Sequence, residues 1–307
     1  MYLCYPAYIR GKEVVISVVQ LGTVDYATGL RLQQRLVALR KEGRIGDVLL
    51  VLEHTPVITL GRNAKAANII APPELLAQRG VEVFDCDRGG DVTFHGPGQI
   101  VGYPIFDLHG FSSSESKRKT LGAVEYVRRL EEVVIRTCTD FGIPAKRISG
   151  LTGVWAEPQA TWGRPSSAVQ VERSSTETAE TTANGSFTKS AQKSQEAKIA
   201  AIGVHISRAV TSHGFALNVN TDLEYFDLIV PCGIEAKPVT SMERELAEQI
   251  PLQDVAYSIS RNFGVVFESQ ILWLETLEAL LGNSVGVPMK PPAELRELHK
   301  EEDTFWV

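Results

Sequence analysis

The chain has 307 residues, 44% of them apolar and 22% charged, which fits a globular protein and excludes a wholly disordered or fibrous chain. Thirty-seven acidic against 31 basic side chains give a net charge of −6, so nucleic acid, which selects a basic excess, is not expected as a partner. No apolar run approaches the roughly 18–20 residues of a membrane span. The first twelve residues have no basic segment followed by an apolar one, so the expected compartment is the cytoplasm, away from membranes.

In chain order, the β-branched run Glu13 to Gln20 predicts a strand. Tyr26 to Glu42 places Leu32, Leu36 and Leu39 at helical spacing, with basic residues between them. Asp47 to Glu53 and Pro56 to Leu60 read as strands, and Pro72 to Arg79 as a short helix opened by proline. Val81 to Phe84 and Gln99 to Phe106 read as strands around a glycine-rich turn. Ser116 to Phe141 predicts a long helix ended by Gly142 and Pro144. Val154 to Ala156, Ile199 to Ser207 and Gly214 to Val219 are further strands. Leu252 to Phe267 and Leu272 to Leu281 read as C-terminal helices. Irregular interleaving, with turns short enough only for antiparallel neighbours, points to an α+β fold: a mixed sheet flanked by helices.

One stretch stands apart. Residues 157–197 carry thirteen Ser or Thr and almost no large apolar side chains. Such a composition buries too little surface to offset its ordering entropy, so it reads as a disordered insertion. The expected organisation is one catalytic domain over residues 1–282, interrupted at 157–197, with a polar tail at 283–307. A two-domain split at the insertion is the competing reading.

Four cysteines, Cys4, Cys86, Cys138 and Cys232, lack any CxxC pair, so neither a disulfide scaffold nor a structural zinc site is expected. Cys138 falls on the long helix and reads as core. Cys232 differs: Pro231-Cys232-Gly233-Ile234 sets a thiol on a sharp turn, where nearby backbone N–H groups can lower its pKa and hold an oxyanion. A buried, inert turn cysteine is the alternative. Lys198 opens the strand Lys198-Ile199-Ala200-Ala201-Ile202-Gly203. It is either a solvent-facing strand end or a partly buried amine suited to proton transfer.

The densest segment is Arg88-Gly89-Gly90-Asp91-Val92-Thr93-Phe94-His95-Gly96-Pro97-Gly98-Gln99. Its glycines permit a loop that wraps a substrate, or equally a tight hairpin. It is neither a P-loop nor GxGxxG, so a phosphate cradle has little support. His95 offers a general acid or base, a hydrogen-bond partner or a metal ligand, and a structural hydrogen bond is the plainer reading; no HxxxH or HxH neighbour supports a metal.

Together these segments resemble the octanoyltransferase family, the lipoyl(octanoyl) transferases. The resemblance begins at Leu52-Glu53-His54-Thr55-Pro56-Val57-Ile58-Thr59-Leu60-Gly61-Arg62. It runs through the Arg88 loop, Thr152-Gly153-Val154-Trp155, Lys198 to Gly203 and His213 to Val219, and ends at Pro231 to Ile234. It implies a fold like the catalytic domain of biotin and lipoate protein ligases. It also implies transfer of an octanoyl group from acyl carrier protein, through a cysteine thioester, to a lysine of lipoyl domains. Those domains belong to 2-oxoacid dehydrogenase complexes and the glycine cleavage H protein. On this resemblance Cys232 is the nucleophile and Lys198 lowers its pKa. Substrate-binding residues are Arg88, Gly89, Gly90, Asp91, Val92, Thr93, Phe94 and His95, then Ala201, Ile202 and Gly203, then Gly214, Phe215 and Ala216. A thioester is already activated, so neither a nucleotide nor any other cofactor is expected, and a monomer suffices. Small residues such as Gly90, Gly203, Gly214 and Ala216 are expected to leave room for the acyl chain. The departure from the family is the insertion, where a much shorter loop is usual. Acidic carriers need a basic dock on this acidic chain. The candidates are Arg31, Arg35, Arg40, Lys41 and Arg44 on or just after the first helix, and Lys117, Arg118, Lys119, Arg128 and Arg129 on the long one.

Overall fold

The computed structural model describes residues 14–113, 120–157, 196–230 and 238–282. Cys4, Lys117 to Lys119, most of the insertion, the turn holding Cys232 and the polar tail lie outside the described residues.

Strands and helices follow one another as β1 (Val15–Val24), α1 (Tyr26–Lys41), β2 (Asp47–His54), β3 (Val57–Leu60), α2 (Pro73–Gln78), β4 (Glu82–Asp85), β5 (Val92–His95), β6 (Gln99–Ile105), α3 (Ala123–Asp140), β7 (Ala145–Ile148), β8 (Leu151–Ala156), β9 (Ala197–Ser207), β10 (Val210–Asn218), α4 (Met242–Leu246), α5 (Leu252–Val266), β11 (Gln270–Leu274) and α6 (Ala279–Gly282). Eight strands form one sheet in the order β11-β1-β2-β6-β10-β9-β8-β7, and three form a smaller one, β4-β3-β5. In the large sheet β1 runs parallel to β2 and β11, while the remaining neighbours are antiparallel. The mixed α+β architecture expected from the sequence is the observed one.

On one face of the large sheet, α3 and α5 bury Tyr126, Leu130, Val134, Ile259 and Phe263 against Leu49, Ile100, Phe215 and Leu217. On the other face, α1 lays Leu32, Leu36 and Leu39 over Val48, Leu50, Val101 and Tyr103. Asp25 caps α1, its side chain accepting from the Thr28 N–H at 2.8 Å. The small sheet sits beside α1 around its own core of Ile58, Val92 and Phe94 with Phe226, Leu228 and Ile229. Among the described residues no helix is long and apolar enough to cross a membrane.

Four local expectations need correction. Leu272 to Leu281 is not a helix: Gln270–Leu274 is a strand paired in parallel with β1, and only Ala279–Gly282 is helical. Its partner comes from the opposite end of the chain, which local spacing does not reveal. The strands flanking the glycine loop do not face each other, since β4 lies in the small sheet and β6 in the large one. The loop itself contains a strand, β5, paired with β3. The long helix starts at Ala123 among the described residues, with residues 120–122 before it non-helical. Strand β7 and helix α4 carry too little local signal to be seen in advance.

Candidate active site

The small sheet closes over β9 and β10 and leaves a slot between the two. Alternation along β5 decides which residues reach it. Val92 and Phe94 turn into the small-sheet core, whereas Thr93 and His95 line the slot. Of the expected substrate-binding stretch, therefore, Arg88, Gly89, Gly90, Asp91, Thr93 and His95 border the slot, and Val92 and Phe94 do not. Ala201, Ile202, Gly203, Gly214, Phe215 and Ala216 border it from β9 and β10, with Tyr26 and Tyr103 above. The slot holds about 480 Å³ including its open side, within the range of small-molecule sites. It continues past Thr93, Ala201 and Ala216 to Gln99, Asn218 and Lys198.

Two of the glycines also allow close backbone approach. A Cβ at Gly203 would lie 2.6 Å from the Gly89 carbonyl oxygen, and one at Gly214 would lie 2.1 Å from that of Gly102. Both border the slot and both let backbones touch. The Arg88 loop is thereby drawn onto β9, where the Gly89 N–H donates to the Val204 carbonyl at 3.0 Å.

Buried polar groups fix the slot walls. The Arg88 guanidinium donates to the Thr59 carbonyl at 2.7 Å and to its hydroxyl at 2.9 and 3.1 Å. It pins the loop to β3. Asp91 accepts from the Asn68 amide and its own strand's Val92 N–H. Gln99 donates through Nε2 to the Phe94 carbonyl and to Asn218 Oδ1, so its Oε1 accepts from His95 Nδ1 at 2.7 Å. His95 is thus neutral with Nε2 bare, and burial pushes its pKa down to about 3. His54 is likewise neutral: Nδ1 donates to the Val24 carbonyl, Nε2 accepts from the Tyr103 hydroxyl, and burial lowers its pKa to about 4. The plainer reading of His95, a structural hydrogen bond, agrees with this geometry.

At the inner end stands Lys198, which among the described residues is the one buried lysine. Its Nζ lies 5.4 Å from the centre of the Trp155 ring. Its stem passes Gly153, where a Cβ would approach Lys198 Cε to 2.7 Å and the Ala200 carbonyl to 2.7 Å. Gly153 has φ +124°, and its N–H donates to Glu131, a buried carboxylate paired with Arg128 and Arg147. The Lys198 backbone binds the segment that follows the Cys232 turn: its N–H donates to the Pro238 carbonyl, and its own carbonyl accepts from Thr240. Asn218 Nδ2 donates to the Thr240 carbonyl. Before the turn, the Val230 N–H donates to the Asn68 carbonyl at 2.7 Å. The flank after the turn is therefore anchored to Lys198, and the flank before it to Asn68, whose amide holds Asp91. Sequence reading missed Gln99, Asn218, Thr240 and Gly153 as positioning groups. Only Gly153, placed two residues before a tryptophan in a strand, carried a local signal.

The other described thiols are poor nucleophiles. Cys138 is fully buried and its thiol is pushed up to about 12. Cys86 spends its S–H on the Leu60 carbonyl.

Slot and buried lysine sit in a two-sheet α+β frame, and comparison with known proteins says which class of enzyme shares it. Residues 25–264 match the lipoyl protein ligase A/B catalytic domain. The chain is 54% identical to an octanoyltransferase of Koribacter versatilis, covering 94% of this chain and 98% of that protein. It is 50% identical to one of Acidobacterium capsulatum, covering 87% and 96%. A structure from an analysis of a bi-partite lipoate protein ligase and its E2 lipoyl domain from Thermoplasma acidophilum superposes with a TM-score of 0.57 at 15% identity over 94% of this chain and 93% of that one. A lipoate-protein ligase A bound with ATP gives 0.55 at 14% identity over 94% and 95%. These two share the fold. The chain belongs to the octanoyltransferase family within the lipoyl protein ligase A/B group, and it is an acyltransferase.

Proposed function

We propose that the chain takes an octanoyl group from octanoyl-acyl carrier protein, holds it as a thioester on Cys232, and passes it to a specific lysine of lipoyl domains, the first step of protein lipoylation. The observation that carries the reading is Lys198, a buried amine at the inner end of the slot whose backbone is bonded to the segment leaving the Cys232 turn.

The chemistry is self-consistent. An ammonium beside a thiol favours the thiolate. The Cys232 thiolate attacks the thioester carbonyl, backbone N–H groups hold the developing oxyanion, and the carbon–sulfur bond to the carrier breaks. The Lys198 ammonium gives its proton to the departing thiolate. The neutral Lys198 amine then takes a proton from the incoming lysine as its nitrogen attacks the acyl-enzyme, which frees Cys232. No step consumes a nucleotide.

The carrier dock favours α1 over α3. On α3, Arg128 and Arg129 are paired with Glu131 and Glu125. On α1, Arg40 is taken by Asp47 and Asp107, while Arg35 is exposed and Lys41, also exposed, donates to the Ser207 hydroxyl.

Intact-mass analysis after mixing with octanoyl-acyl carrier protein, without ATP, tests the reading. One octanoyl group is expected on the chain, mapped to Cys232, and none on Cys232→Ala. An adduct on Cys4, Cys86 or Cys138, or transfer that requires ATP, would overturn it.

A further inference from the structure

An outer cleft lies beyond the slot, between α1 and the tip of the β9–β10 hairpin, lined by Gln33, Lys41, Asp87, His205 and Ser207. One side chain, His213, borders both spaces. We propose that His213, pinned by Asp87, is the end wall of the acyl slot and sets the longest acyl chain the enzyme accepts. The proposal rests on the acyl-transfer reading above and extends it to substrate length.

His213 is an unusual strand residue. It has φ +54°, in the left-handed region that a histidine rarely adopts, and it persists there because its surroundings hold it from several sides. Its N–H donates to Gln33 Oε1 at 2.7 Å, and its Nε2 donates to Asp87 Oδ1 at 2.7 Å. The second Asp87 oxygen is bonded to Nδ1 of His205. The imidazole is 3% exposed, while Asp87 itself is half exposed. Asp87 directly precedes Arg88, so one carboxylate ties the slot loop to both β9 and β10.

Different residues line the two sides of this one. On the slot side it meets the edge of Tyr103 at 6.4 Å and the small residues Gly214 and Ala216. On the cleft side Leu30, Val37 and Val210 stand among Lys41, Asp87, His205 and Gln33, whose Nε2 is buried with no hydrogen-bond partner. An apolar chain gains roughly fourfold in rate or affinity for each methylene it buries, and that gain must stop where the slot stops. Without the imidazole, the slot would open into the cleft, and longer chains would run on toward water.

The test is a length series of acyl-carrier thioesters, from butanoyl through hexanoyl, octanoyl and dodecanoyl to tetradecanoyl, with the full chain. Three variants are compared with wild type. His213→Gly removes the wall and suits the positive φ. Asp87→Ala unpins the imidazole without removing it. Asp87→Asn keeps an acceptor for it. In wild type kcat/KM is expected to rise with length and then fall. In His213→Gly the fall becomes a plateau, raising the tetradecanoyl-to-octanoyl ratio at least tenfold. Asp87→Ala should move the ratio in the same direction by less, and Asp87→Asn should restore the wild-type profile. Length profiles identical in shape for wild type, His213→Gly and Asp87→Ala would overturn the proposal. If wild type transfers no acyl group at any length, the acyl-transfer reading fails instead. The same series of free fatty acids, read by protection against thermal unfolding, then decides the wall alone: a tenfold change in the affinity ratio supports it, and an unchanged ratio overturns it.

Discussion

Behind the eight-stranded sheet, Phe106, Phe215, Phe263 and Phe267 meet ring against ring under α3 and α5, with centroids 5.4 to 6.0 Å apart. In front of it, where α1 and the small sheet cover the strands, His54, Thr59, Arg88, His95, Gln99, Lys198 and Asn218 are buried. The rear face is held by apolar area and dispersion. The front face spends its burial on groups that must be hydrogen-bonded to remain there. One face keeps the fold; the other keeps a shape for chemistry, and substitutions on the two should read out differently.

The largest contrast is between Lys198 and Phe263. Lys198→Ala should slow acyl-enzyme formation by at least ~10²-fold, the usual loss when an acid/base group goes, with little change in melting temperature. Lys198→Arg should not rescue it, because a guanidinium does not release its proton at neutral pH. Phe263→Ala should cost about 3–5 kcal/mol of stability while each folded molecule turns over at nearly the wild-type rate. Stopped-flow acylation and denaturant titration of both variants check the pair. A Lys198→Ala enzyme acylated at the wild-type rate would erase the distinction.

A smaller effect is expected where backbone rather than a reacting group is changed. Gly153→Ala places a methyl 2.7 Å from Lys198 Cε at a residue with φ +124°. The lysine must move, and about tenfold should be lost from acylation, since small displacements of a reacting group are costly. Steady-state rates should fall further than stability does. A stability loss with unchanged rates would make Gly153 a purely structural residue.

The two faces were unequally legible in the sequence. The rear face was plain in the spacing of Leu252 to Phe267, since α5 runs from Leu252 to Val266 as its period predicts. On the front face the reactive pair stood out through motif resemblance, because Lys198 opens an apolar strand and Cys232 sits in a Pro-Cys-Gly turn. The groups that hold Lys198 did not. The link from His95 through Gln99 and Asn218 to Thr240 joins residues more than a hundred positions apart. No local period marks such a chain. Strand β11 failed for the same reason, as its pairing with β1 is the longest-range contact in the large sheet.

The buried histidines give the front face a pH signature that the rear face lacks. His54 and His95 fall from an ordinary 6.5 to about 4 and about 3, so the folded state keeps them neutral while the unfolded chain protonates them. A depressed histidine contributes stability above its unfolded pKa and loses it as pH falls toward the folded value. Stability should therefore drop between about pH 6.5 and 4, with a slope approaching roughly 2.7 kcal/mol per unit if both sites act. His213 shifts in the same direction. Carboxylates held low by partners, such as Asp140 and Glu132, add their losses at lower pH. Denaturant midpoints at pH 7 and pH 5 should differ clearly in wild type and less in His95→Gln. Equal differences would mean that His95 does not titrate on unfolding.

The smallest effect is expected from the largest change. The insertion leaves the sheet at the end of β8 and returns at the start of β9, directly before Lys198, so it enters the front face at its most sensitive point. Yet Ala156 and Ala197 are already partners in an antiparallel pair. Glu157 and Glu196, just outside that pair, both reach Lys146. Such ends need only a hairpin of two to five residues to join them. Each doubling of loop length costs only about 0.6 kcal/mol in closure entropy, so shortening the loop should stabilise slightly if it does anything. Replacing residues 158–195 by a short Gly/Asn turn should leave kcat within about twofold and the melting temperature unchanged or a little higher. The ion pairs at Lys146 are partly exposed and contribute little, so their rearrangement does not alter this expectation. Should turnover fall tenfold while the melting temperature holds, the front face would depend on a segment beyond the sheet for the placement of Lys198, and the division of labour between the two faces would have to include a third part.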